Sequence, residues 1–117
     1  KISVQDERRI FSDRSWAREN GQNEHLREPL LALAAYYLVK EKRGIAALDK
    51  VANFHLTNGS TIERLNWLGD ISRRGQSEAG CLMVNYRYRL KDIESNHENY
   101  YTMGEISYSK SISVLLQ

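Results

Sequence analysis

Residues 51–68 read VANFHLTNGSTIERLNWL, and the fold of the 117-residue chain turns on how this stretch is parsed. Over residues 51–56, alternation puts Ala52, Phe54 and Leu56 on one face and Val51, Asn53 and His55 on the other, the pattern of a half-buried strand. Thr57, Asn58 and Gly59 end it with turn chemistry. Ser60 and Glu63 then match a capping box, in which a hydroxyl and a carboxylate satisfy each other's orphan backbone donors, so a short helix is predicted to start there. Ile62, Leu65, Leu68 and Ile71 recur every third residue in its support. The competing parse makes Asn58-Gly59 a hairpin turn, with Thr61, Glu63, Leu65 and Trp67 alternating in a following strand.

Upstream, Pro29 suits the first turn of a helix, where a fixed φ and a missing N–H are tolerated. Leu30, Leu33, Ala34 and Tyr37 follow at helical spacing, and Leu31, Ala35 and Leu38 widen the apolar arc. Lys40, Lys42 and Arg43 complement the carboxyl end of the helix dipole, and Gly44 is predicted to close it in the left-handed conformation. Downstream, residues 73–80 read as a polar loop, and residues 81–90 alternate Leu82, Val84, Tyr86, Tyr88 and Leu90 against Cys81, Met83, Asn85, Arg87 and Arg89. This is the clearest strand in the chain. Residues 91–99 carry the charge and asparagine content of an exposed loop, and Tyr108, Ile112 and Leu115 predict a terminal helix. The class is α+β, with both strands in one small mixed sheet.

Seventeen Lys and Arg against fifteen Asp and Glu leave a net charge of +2, and six basic residues among the first 28 are matched by six acidic ones. Without a basic stripe, charge gives no argument for nucleic acid. The eleven uncharged positions from Pro29 to Val39 fall short of the ~20 that cross a bilayer. The lone Cys81 has neither a disulfide partner nor a CxxC neighbour for zinc, which suits a reducing compartment. Residues 1–28 read as a polar, loosely helical lead-in. Opening on Lys1 without a signal-peptide pattern, the chain reads as a piece of a larger protein.

The motifs of dinucleotide, P-loop, zincin and serine-hydrolase chemistry are absent. His25 and His97 lie in polar stretches and read as surface residues. His55 differs, because its neighbours are apolar and it stands just before a turn, where a rigid element can present an imidazole to a cleft. The same position suits a core histidine bonded to backbone, and spacing does not separate the two. Cys81 reads as a small buried hydrophobe, and Tyr86 and Tyr88 as packing residues on the apolar face of their strand, with a phenol reaching a ligand as the alternative.

FHLTNG, then LNWLGDISRRG and GCLMVNYRYRL, resemble the carboxyl-terminal part of the malonyl-CoA decarboxylase family, whose pattern runs INWxxDxSxRG and GLMxNYxY. REPLLALAAYYLVKEKRG is similar to that family's PLLxLxAxYL helix. The likeness runs from about Ile10 to the end and is most specific over residues 51–90. It implies that residues 29–117 are the carboxyl-terminal half of an acetyltransferase-like (GNAT) fold, helices packed on the sheet.

The resemblance further implies decarboxylation of malonyl-CoA to acetyl-CoA without metal or organic cofactor. His55 then carries over as proton donor to the enolate, with Asn53, Asn58 and Tyr88 as supports around the substrate. The family's partner serine and the glycine-bearing loop for the coenzyme A pyrophosphate have no counterpart in residues 1–29, where Ser12 and Ser15 stand in another context. The isolated chain is therefore expected to be inert. The alternative is a non-catalytic structural or subunit-contact module, completed by a second copy or by the remainder of a parent chain. The family setting implies a bacterial cytoplasm or a mitochondrial matrix, and Leu115-Leu116-Gln117 is not a peroxisomal address.

Overall fold

The computed structural model describes residues 24–67 and 82–117. A 3-10 turn, Glu24–Leu26, leads into helix α1, Arg27–Lys40. Pro29 sits in the first turn, as its chemistry demands. Leu30, Leu31, Ala35, Leu38 and Val39 are buried, whereas Leu33 and Tyr37, expected inside, lie on the exposed side. The helix also stops earlier than its basic tail suggested, because Glu41 is extended. Gly44 does have a positive φ of 63°, but it serves a two-residue hairpin between strands β1, Lys42–Arg43, and β2, Ala46–Ala47. Tight hairpins of this kind need such a φ, which glycine adopts without a Cβ clash.

The decisive stretch folds otherwise than expected. Residues 51–56 are not a strand but lie within helix α2, Lys50–Thr57. Its start is set by Asp49, an extended N-cap residue whose Oδ2 accepts the Ala52 N–H at 2.9 Å. Ala52 and Leu56, four residues apart, are its buried pair. The helix ends in a Schellman turn, with the Ser60 N–H donating to the His55 carbonyl at 3.1 Å and the Gly59 N–H to the Leu56 carbonyl at 3.0 Å. Gly59 has φ 88° and no room for a Cβ, which would strike the backbone and side chain of Ile93.

Residues 60–63 accordingly begin no helix. Thr61–Asn66 form strand β3, pairing antiparallel with β4, Met83–Arg87. The alternating parse of Thr61, Glu63, Leu65 and Trp67 was the better one, although the glycine before it terminates a helix and not a hairpin. The ladder shifts register between Ile62 and Arg64. At that irregularity the Glu63 carbonyl accepts the Ser109 and Ser111 hydroxyls at 2.5 and 2.8 Å. Ile62 also makes a parallel bridge to Tyr108. In place of one mixed sheet, the described residues hold two small antiparallel pairs, β1 with β2 and β3 with β4.

Residues 91–99, expected as loop, mostly belong to helix α3, Ile93–Met103, closed by Gly104 at φ 68°. The terminal helix is short, α4, Lys110–Leu115. Around Leu56, Ile62 and Ile112, all nearly fully buried, α1, α2 and α4 pack with β3 into one core completed by Ala35, Leu38 and Tyr100. Tyr100 joins three elements: its hydroxyl accepts the Ala47 N–H at 2.8 Å and donates to Asn53 Oδ1 at 2.6 Å. Most of the lead-in, the loop at 73–80 and Cys81 lie outside the described residues. No helix among those described is long and apolar enough to cross a membrane.

Candidate active site

His55 stands in the last turn of α2, half-buried, its carbonyl held by the Schellman bonds from Asn58 and Ser60. The backbone of this residue is thus fixed on both sides of the turn. Its ring is fixed as well. Strand β4, paired on β3, brings Tyr86 face to face with the imidazole, ring centroids 4.0 Å apart and planes 18° apart. Tyr88, just past the end of β4, places its hydroxyl 2.6 Å from Nδ1. Phe54 meets the ring edge-on at 5.3 Å. One face is covered and Nδ1 is engaged, and among the described residues none hydrogen-bonds Nε2, the nitrogen left for chemistry.

A groove of about 730 Å³ opens beside the imidazole between α1, α2 and the β3–β4 pair. Leu33, Ala34, Leu65 and Val84 give it an apolar lining, and Glu41 and Asp49 add carboxylates. Tyr37 donates to Asp49 Oδ1 at 3.3 Å, so Asp49 joins α1 to the start of α2. Burial pushes the Tyr86 phenol well above its ordinary range, with smaller contributions from the Asp49 charge and Tyr88. Tyr86 therefore stays a neutral stacking partner across the whole working range of an imidazole. Tyr37 is raised for similar reasons, burial first and then the charge and hydrogen bond of Asp49.

Of the residues singled out in the sequence, the structure brings Tyr88 to His55 and leaves the two asparagines elsewhere. Residues two apart in a helix lie ~200° around the axis from each other. Asn53 thus turns away from His55, and its carboxamide is taken by Tyr100. Exposed Asn58 donates through Nδ2 to the Phe54 carbonyl at 2.9 Å and stabilises the turn. His97 is exposed, with Nδ1 2.5 Å from the Thr57 carbonyl, and His25 is exposed too. Sequence reasoning missed Asp49 and read Tyr86 first as a packing residue, not as the partner of His55. The signal for Asp49 was its place three residues before Ala52, an N-cap spacing hidden by the strand reading. Among the described residues no group of three or more His, Cys, Asp or Glu is placed to hold a metal ion.

Fold and site together define an α+β unit that presents one doubly braced imidazole to a largely apolar groove. Comparison with known proteins gives it a family. Residues 2–117 match the family model described as the malonyl-CoA decarboxylase C-terminal domain. The chain is 39% identical over 105 residues to the mitochondrial malonyl-CoA decarboxylase of Anser anser anser, covering 90% of this chain and 21% of that protein. The Rattus norvegicus protein is likewise 39% identical, over 107 residues, with 92% and 22% covered. Among solved structures, malonyl-CoA decarboxylase from Agrobacterium vitis superposes with a TM-score of 0.87 at 38% identity, covering 100% of this chain and 30% of that one. The Rhodopseudomonas palustris enzyme gives 0.82 at 40%, with 86% and 23% covered. The chain belongs to the malonyl-CoA decarboxylase family, to its carboxyl-terminal domain, and spans about a fifth of the length of these curated relatives.

Proposed function

We propose that this chain contributes the proton-donating half of a malonyl-CoA decarboxylase active site, with His55 as the donor. The observation that carries the reading is the bracing of His55: Tyr88 on Nδ1, Tyr86 on one face, and Nε2 left to meet a ligand. In the protonated ring, Nδ1–H donates to the Tyr88 oxygen and Nε2–H is offered to the substrate. When the bond between the α-carbon and the carboxylate breaks, carbon dioxide leaves and the electron pair moves onto the thioester as an enolate. The imidazolium stabilises that oxyanion and then delivers the Nε2 proton to carbon, giving the acetyl thioester. Solvent reprotonates the ring. The organic substrate supplies both the electrons and the leaving group, so these steps require no cofactor.

Tyr88 belongs to this machinery as the group that orients the ring, and Asn53 and Asn58 support it from behind by holding α2. The unit corresponds to the second half of an acetyltransferase-like fold. The serine and the coenzyme A loop come from other parts of the protein, so the isolated chain is inert. The mitochondrial and bacterial relatives favour a mitochondrial matrix or a bacterial cytoplasm as the setting.

His55→Gln in the full-length protein tests the reading. Loss of general acid catalysis is worth ~10² to 10⁴-fold, and turnover of malonyl-CoA to acetyl-CoA should fall by that order. Wild-type rates would remove His55 from the mechanism.

A second reading, that of a contact module, is supported by Val51 and Phe54, 60% and 63% exposed, and by Leu33 beside the same groove. Apolar patches of this kind favour pairing with another chain or with the rest of the parent protein. A clean monomer of the purified chain in light scattering would count against it.

A further inference from the structure

The geometry points to Asp49 as a positioning residue for His55, acting through a clasp that joins α1, the first turn of α2 and the groove wall. The two carboxylate oxygens have separate partners. Oδ2 accepts the Ala52 N–H at 2.9 Å and starts the helix that carries His55 six residues later. Oδ1 accepts the Tyr37 hydroxyl at 3.3 Å and ties that helix start to α1 across the groove. At its other end α2 is stopped by the Schellman turn at Gly59, which packs on Ile93. A helix of eight residues held at both ends has little freedom to slide or tilt. Its imidazole must still meet two ring partners, Tyr86 and Tyr88, that belong to a different element. A small shift of α2 would break the stack and the Nδ1 bond together. Asp49 also lines the same groove as His55 and Tyr86.

The functional consequence rests on His55 being the proton donor, but the clasp itself is tested independently of activity. The full-length protein is prepared with selectively labelled histidine, and the His55 imidazole resonances are followed in four variants. Tyr37→Phe removes the bridge and leaves the cap. Asp49→Ser keeps a capping oxygen but is too short to reach Tyr37. Asp49→Ala removes both contacts. Asp49→Asn keeps an acceptor for Ala52 and a polar group for Tyr37, and serves as the rescue.

The His55 resonances should shift in the first three variants and return in Asp49→Asn, with those of His97 unmoved. Turnover should fall in parallel through kcat, with KM little changed, by roughly threefold to tenfold in Tyr37→Phe, a fraction of the ~10²-fold that a 1 Å misplacement costs. If Asp49→Ala fails to fold, Tyr37→Phe still carries the test. Unshifted His55 resonances in Tyr37→Phe and Asp49→Ser overturn the clasp, whatever the rates do. Shifted resonances with unchanged kcat leave the clasp standing and count against His55 as the donor.

Discussion

Removing the Tyr100 hydroxyl with Tyr100→Phe should cost far more stability than deletion of one atom suggests. The ring is 5% exposed, and its oxygen satisfies the backbone N–H of buried Ala47 and the carboxamide of Asn53. Without it the Ala47 donor is stranded where water does not reach, at a cost of about 1–3 kcal/mol. Asn53 is half-buried and recovers part of its loss from solvent. The sum is about 2–4 kcal/mol, a large share of the ~5–15 kcal/mol that holds a typical domain together. Equilibrium urea unfolding of the full-length protein measures it, alone and in a double-mutant cycle with Asn53→Ala. Because the two residues share a bond, their losses should fall short of additivity by about 1–2 kcal/mol. A Tyr100→Phe protein within ~0.5 kcal/mol of wild type would refute the reasoning. An Asn53→Ala variant of full stability with a raised KM would instead make Asn53 a substrate contact.

Gly59→Ala should be destabilising by about 2–5 kcal/mol, since a left-handed φ adds ~1–2 kcal/mol and a clash with Ile93 a further ~1–3; thermal melting reads it, and an unchanged midpoint would contradict the close approach. Tyr88→Phe loses one hydrogen bond to the imidazole, worth about 0.5–1.5 kcal/mol, and should slow decarboxylation by the corresponding ~2- to 12-fold; a rate equal to wild type would make the bond idle. Because folding raises the Tyr86 pKa, its stabilising contribution is complete below the ordinary phenol value of ~10 and is lost as pH climbs above it, where the unfolded chain releases that proton first. Stability should therefore drop with rising alkalinity, and Tyr86→Phe should flatten the slope; an identical slope in urea unfolding from pH 9 to 11 would refute this.

How much of this was legible in the sequence depends on how many residues each element buries. Helix α1 was readable because Leu30, Leu31, Ala35, Leu38 and Val39 form a broad buried face behind Pro29. The strand at Met83–Arg87 was readable because half-buried and exposed residues alternate without a break. Helix α2 buries only Ala52 and Leu56, and six residues with two anchors fit either period. Helix α3 has a single buried residue, Tyr100, so no stripe distinguished it from a charged loop. The box at Ser60 was a true pattern in the wrong place, since the Schellman turn had already claimed its backbone donor. His55 stood out through its neighbours. Its braces did not, because Tyr86 and Tyr88 lie more than thirty residues further along and only the β3–β4 register delivers them.

The irregular step in the β3–β4 ladder bears on the order in which this molecule assembles. A regular ladder would turn the Glu63 carbonyl toward its partner strand; the register shift frees it for Ser109 and Ser111, 46 and 48 residues away in the chain. Ile62 likewise exchanges backbone bonds with Ser107 and Ser109 at similar separations. Part of the anchorage for α4, the Glu63 carbonyl, is therefore open to it only where β3 pairs with β4 in the shifted alignment. Contacts of such long sequence separation form late, because the chain entropy of closing the loop is spent before the contact rewards it. The last helix is a latch whose catch is the Glu63 carbonyl: the serines find it only on a correctly registered β3–β4 pair, and a pair slipped by one residue would withdraw it.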